Sequence, residues 1–171
     1  MNINAFKGRL LNGGSRANQF LVTLNWPALV GSPGGDHNLL VSSASLPAST
    51  VNPTIVQYRG REVKFSGERI FEPWSITVLN DTDMTLRAYF EKWSNLFNNY
   101  ENNGGVTAPA GYMADLIVQQ LDRNDEIIRT YNMKDAFPIN VGNVSLGYGL
   151  NDIVSDFEVV FAYQTFEVAL P

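Results

Sequence analysis

Apolar positions recur along this chain with two different periods. Phe20, Val22 and Leu24 alternate along one face and predict a first strand, stopped by Trp26-Pro27. Leu39 to Leu46 predicts a second strand, closed by Pro47. Val63 and Phe65 alternate with charged neighbours between Arg61 and Ser66. Ile70 to Leu79 predicts another strand with Trp74, Ile76 and Val78 on one face, and its Pro73 suits an edge or a bulge. The period then changes. Leu86, Phe90, Trp93, Phe97 and Tyr100 follow at alternating steps of four and three, which predicts a helix over about 83–99. Asn80 to Asp83 offers capping oxygens at its start, and Asn102-Asn103-Gly104-Gly105 ends it.

Alternation returns in Leu116 to Leu121, in Glu126 to Met133 after the turn residues Asp122 to Asp125, and in the short pieces Phe137-Pro138-Ile139 and Val144 to Tyr148. Gly142, Gly147 and Gly149 break these pieces. Val154 to Leu170 is the longest strand-like run. The tally is eight or nine strands and one helix, mainly β and antiparallel by its short connections.

Two segments stand outside this pattern. Residues 1–17 are Gly-rich with few large apolar side chains and read as a flexible arm before one domain, 18–171. Residues 47–60 hold two prolines and few core-like residues. They read as a long excursion rather than a tight hairpin, and long loops are often interaction elements.

Composition removes several chemistries. With 171 residues the chain suits one domain, and a compact fold of 19.0 kDa exposes about 8,400 Å². There is no Cys, so there is no disulfide, thiolate metal site or cysteine nucleophile. The one histidine, His37, lies beside Asp36 in a Gly-rich loop and reads as solvated. Asp81 and Asp83 resemble the start of a calcium loop, but Leu86 stands where glycine is needed, and helix capping explains the pair better. No phosphate loop, nucleophile elbow or cofactor motif is present. No run of eighteen apolar residues is available to span a membrane, and the N-terminal segment lacks the apolar centre of a secretory signal. These readings point to a chain without catalytic, metal or cofactor residues.

Charge is unevenly placed. Residues 1–70 carry seven basic and three acidic side chains; residues 71–171 carry five basic and fourteen acidic ones, giving −5 overall. Arg59, Arg61, Lys64 and Arg69 are the nearest approach to a basic cluster, too sparse for tight duplex binding.

The ordered set of segments resembles a known family. It comprises Ala17-Asn18-Gln19-Phe20, Ala44-Ser45-Leu46-Pro47-Ala48, the run from Arg59 to Asp81, the aromatic helix, Phe137 to Gly142 and Asp156 to Val159. The match extends over about residues 17–168 and is similar to the tail tube proteins of contractile-tailed, T-even-type bacteriophages. These are related in turn to the tubes of type VI secretion and contractile injection systems. The resemblance implies two packed antiparallel sheets forming a sandwich or barrel with one flanking helix. It implies a non-enzymatic virion protein, assembled in the host bacterial cytoplasm, whose homohexameric rings stack into a hollow tube inside a contractile sheath. The implied partners are further copies of the chain, the sheath, baseplate and tail-terminator proteins, and double-stranded DNA in transit without tight binding. A protein-conducting secretion or injection tube is the alternative.

On this reading the excursion at 47–60 corresponds to a ring-stacking loop, with Pro47, Val51, Pro53, Ile55 and Tyr58 as contact residues and Arg59, Arg61 and Lys64 as intersubunit charges. Deleting Val51 to Gln57 is expected to leave a folded subunit that cannot polymerise. Glu126, Asp156, Glu158 and Glu167, expected on strands, are the lumen-facing carboxylates. An acidic wall would keep DNA sliding, because repulsion acts over about 8 Å and each neutralised phosphate deepens a trap.

Overall fold

The computed structural model describes residues 2–10 and 14–169. Among the described residues, nine strands carry the fold: β1 (Phe20–Leu24), β2 (Val41–Ala44), β3 (Ser49–Tyr58), β4 (Arg61–Phe71), β5 (Trp74–Leu79), β6 (Ala114–Leu121), β7 (Ile127–Val141), β8 (Asp156–Ala162) and β9 (Thr165–Ala169). Three helices accompany them: α1 (Ile3–Arg9), α2 (Thr85–Phe97) and the single turn α3 (Pro109–Tyr112).

β7 organises the sheet. Its first half pairs with β6 and β9, and β6 pairs with β1. Its second half pairs with β8, which continues through β5 to β2. The crossover lies between Lys134, opposite Thr165, and Phe137, opposite Ala162. Asp135 sits there in the left-handed region at φ 54°, and its N–H donates to Asp115 Oδ1 at 3.2 Å. The β6–β7 register also shifts beside it, and such a bulge bends a strand. One strand thus serves two antiparallel half-sheets, all pairings being antiparallel.

The half-sheets bury one common core. Val22, Leu24, Leu116, Val118 and Met133 come from the first half; Trp74, Ile76, Val78, Phe157, Val159 and Phe161 come from the second. α2 closes the core with Leu86, Phe90 and Trp93, whose rings meet Phe161 at 5.9 and 6.1 Å. Buried indoles keep their polar ends satisfied, Trp74 donating to Ser45 O and Trp93 to Tyr112 O, each at 2.6 Å. α2 begins at Thr85, two residues later than expected; its N-cap is Met84 at φ 50°, and of the expected capping oxygens Asp81 Oδ1 accepts the Thr85 N–H at 2.9 Å.

Several expectations are corrected. The strand expected from Leu39 begins only at Val41, after a 3₁₀ turn over His37–Leu40. Residues 47–60 are not a loop: all but the first two and the turn belong to β3, paired with β4 in a long hairpin. Phe137–Ile139 continues β7, because Asp135 kinks the strand without ending it. Val144 to Tyr148 is irregular, and the final run is two strands, β8 and β9, in different half-sheets. Tyr100 falls beyond α2 and is exposed. Within the stretch read as an arm, α1 forms over Ile3–Arg9, capped by the Asn2 side chain and burying no residue; Gly13 of that reading lies outside the described residues.

The accessible surface is 11595 Å², well above the figure of about 8,400 Å² for a compact chain of this mass. Much of the excess comes from the β3–β4 hairpin, along which every β3 residue but the first is exposed.

Candidate assembly surfaces

The hairpin is a free-standing two-stranded ribbon. Arg59 and Gly60 form its tip at φ 48° and 81°, both positive as a type I′ turn requires. That turn twists with the strands and fixes Tyr58 opposite Arg61. Further down, the register slips between Val51 and Pro53. Gly67 sits at this bulge because a Cβ there would collide with the Asn52 carbonyl oxygen.

The register sorts the ribbon into two faces, since cross-strand partners share a side. One face carries Tyr58, Val56, Val63, Phe65 and Ile70, all exposed. The other carries Gln57, Glu62, Ile55, Lys64, Pro53 and Arg69. Gln57 donates to Glu62 at 3.3 Å, and Arg69 donates to Ser49 Oγ at 2.6 Å. One face of the ribbon is thus the richer in large exposed apolar side chains, a stripe that no described residue of the chain covers.

At its root the ribbon is anchored. Phe71 packs against Tyr163 and Phe166 at 5.9 and 5.5 Å. The Tyr163 hydroxyl donates to Ala48 O at 3.2 Å. Burial raises the Tyr163 phenol above its ordinary value of 10.0, and the Glu72 carboxylate raises it further. A raised folded-state value means that the stabilisation is complete below 10.0 and is lost as pH rises through the folded value. Urea midpoints for the parent should therefore fall between pH 8 and pH 11. Tyr163→Phe should flatten that fall while costing only about 1 kcal/mol at pH 8. An undiminished alkaline fall in the variant would place the sensitive group elsewhere.

The expected contact residues divide. Pro47 is buried before β3 begins and presents no surface. Val51, Pro53 and Ile55 share the polar face with Lys64, whereas Tyr58 and Arg61 lie on the apolar face and Arg59 at the tip. The Arg59 guanidinium lies 5.5 Å from the Tyr58 ring centre.

The expected lumen carboxylates divide as well. Glu126 is not on a strand; it lies in the β6–β7 turn, its N–H held by Asp122 Oδ1 at 3.0 Å. Asp156 and Glu158 alternate with buried Phe157 and Val159, so they stand on the outer face of the second half-sheet. Glu167 pairs with Asn132 on the outer face of the first half. These are different faces of the fold.

The outer faces differ in charge. In the first half, Lys134 pairs with Asp115 at 2.7 Å, and that contact is the leading cause of its raised pKa. In the second half, β2, β5, β8 and the β7 segment from Phe137 to Val141 contain no basic residue. Ser43, Ser75 and Thr77 share the face of Asp156 and Glu158, with Ser43 donating to Thr77 Oγ1 at 2.9 Å. Among the described residues, this half also leaves β2 and the end of β7 unpaired on their far sides.

One surface was missed in the sequence. The segment joining β7 to β8 exposes Leu146, Tyr148, Leu150, Ile153 and Val154, with Leu146 at 86% and Tyr148 at 107%. Its glycines read as strand breaks, and the apolar residues between them follow no strand or helix period.

Comparison with known proteins gives these surfaces a context. A family model described as phage tail tube protein matches residues 15–169. The chain belongs to the phage tail tube protein family. Members of this family are structural components of the virion, and this chain is a structural subunit of a tail tube. It is 28% identical to the tail tube protein of Serratia phage KSP90, over 94% of this chain and 93% of the relative. It is also 28% identical to tail tube protein gp19 of Enterobacteria phage T4, over 78% of this chain and 83% of the relative. Solved structures share the fold at low identity. A chain of the anti-feeding prophage baseplate matches with a TM-score of 0.65 at 12% identity, covering 91% of this chain and 95% of that one. A chain of the sheath/tube terminator of an extracellular contractile injection system matches at 0.62 and 13%, covering 90% and 95%.

Proposed function

We propose that this tail tube subunit closes into six-membered rings that stack into a hollow conduit for double-stranded DNA, inside a contractile sheath. The observation that carries the conduit is the outer face of the second half-sheet. It is acidic and hydroxylated, without a basic side chain among its strands, and free edges flank it. Edges of this kind are resolved by pairing with a neighbour, and a closed ring leaves none. Asp156 and Glu158 on this face are the wall carboxylates of the proposal; Glu126 and Glu167 belong to other surfaces. Duplex DNA is repelled by such a wall within about 8 Å and finds no cation to hold it.

The ribbon makes the contact between rings, and heterologous stacking of one subunit type extends without limit. The uneven charge along the chain fits complementary ring faces. Sheath, baseplate and tail-terminator proteins are its further partners, and assembly takes place in the host cytoplasm. The two phage relatives favour DNA over protein as cargo.

Negative-stain electron microscopy of the purified chain should show rings or hollow filaments; a monodisperse monomer at every concentration would overturn the reading. Parent tubes should not retain short duplexes at about 0.15 M salt, whereas tubes carrying Glu158→Lys with Asp156→Lys should, because added cations release counterions from DNA. Equal retention by both would remove the acidic wall from the account.

A further inference from the structure

The β7–β8 segment and the ribbon stripe are two uncovered apolar surfaces on one chain. We propose that the β7–β8 segment is the receptor for the apolar stripe of the ribbon of a second copy. This rests on the tube reading and names the surface that the ribbon meets.

Three observations support the pairing. First, the segment is shaped to receive. Leu146, Leu150, Ile153 and Val154 line an open hollow of about 180 Å³, with Ser145 and Ser155 at its polar side. An apolar cavity of roughly 150 Å³ holds a benzene ring, and Phe65 presents one at 57% exposure on the stripe. Second, the charges are complementary. Residues 49–71 carry Arg59, Arg61, Lys64 and Arg69 against Glu62 and Glu68, whereas the segment 142–155 carries Asp152 and no basic residue. Opposed potentials favour this encounter over ribbon against ribbon. Third, donor and receptor are different surfaces of the same chain, present in equal number. Each copy can give its ribbon to one neighbour and accept another's, which propagates a stack.

Photo-crosslinking tests the pairing. Phe65 is replaced by benzoylphenylalanine, and light-isotope and heavy-isotope chains are mixed before assembly. The expected products join position 65 of one copy to residues 143–155 of another. Tubes whose cross-links fall in other segments would overturn the proposal and leave the tube reading intact. An independent variant, Leu146→Ser with Ile153→Ser, alters exposed side chains and should keep the parent's melting temperature. The concentration needed for tubes should rise about a hundredfold, which is about 2.8 kcal/mol. Tubes at the parent's concentration would overturn the proposal. A parent chain that forms no filaments at all would overturn the reading beneath it as well.

Discussion

Excising Val51 to Arg69 and joining Thr50 to Ile70 through Asn-Gly should yield a folded subunit that forms no tubes. Thr50 and Ile70 face each other across the ribbon, so a two-residue turn can close them. None of the excised residues is buried, and Phe71 keeps its place against Tyr163 and Phe166. The circular dichroism spectrum of the body and its melting temperature should therefore stay close to the parent's. Assembly loses four of the five apolar side chains of the stripe, each worth about 1.5 kcal/mol when fully buried. Side-chain ordering at an interface offsets part of this. The surplus still suffices to raise the assembly concentration at least about a hundredfold. Long tubes from the excised chain under the electron microscope would remove the ribbon from assembly altogether. Deleting Val51 to Gln57 alone is a poorer test, because it strips β4 of its partner strand and exposes an unpaired edge.

The second large effect is on the body. Trp93→Ala should destabilise the free subunit by about 3–5 kcal/mol. Trp93 is fully buried, touches Phe161 and Trp26, and anchors α3 through its bond to Tyr112 O. Truncation leaves a cavity and an unpaired carbonyl together. For a domain of this size that is a fall of roughly 6–20 °C in Tm. Trp93→Phe, which keeps most of the volume, should lose less. Urea denaturation at fixed, sub-assembly concentration measures both, and a loss below about 1 kcal/mol for the alanine variant would contradict the packing described.

How legible this was in the sequence depended on where each residue's partner lay. Trp74, Ile76 and Val78 alternate, and Leu86, Phe90 and Trp93 follow helical spacing, because each set faces the common core. Those elements were readable. The ribbon was not: its apolar residues are exposed and face no core among the described residues, and Pro53 argues against a strand. In a two-stranded ribbon a proline that lacks an N–H can be placed beside a bulge. β7 was read as two pieces because Asp135 holds a left-handed conformation that no sequence period reveals. The acidic face was half legible. Alternation alone puts Asp156 and Glu158 on one face, but only the pairing of β9 with the first half of β7 separates Glu167 from them.

The ribbon's tight turn also sets an order of events in folding. Tyr58 and Arg61 are almost adjacent in the chain, so the ribbon pairs locally, on the microsecond scale of isolated hairpins. The body must bring Phe20 to Gln120 and Trp74 to Phe161 before its core closes, and such distant pairings are slow. A newly made chain therefore displays its apolar stripe while the β7–β8 segment proposed to receive it is still unformed. The positive residues that outnumber the negative ones on each ribbon make unfinished chains repel one another at this stage. The residues proposed to draw a completed subunit to its neighbour would thus also act as gatekeepers against premature aggregation.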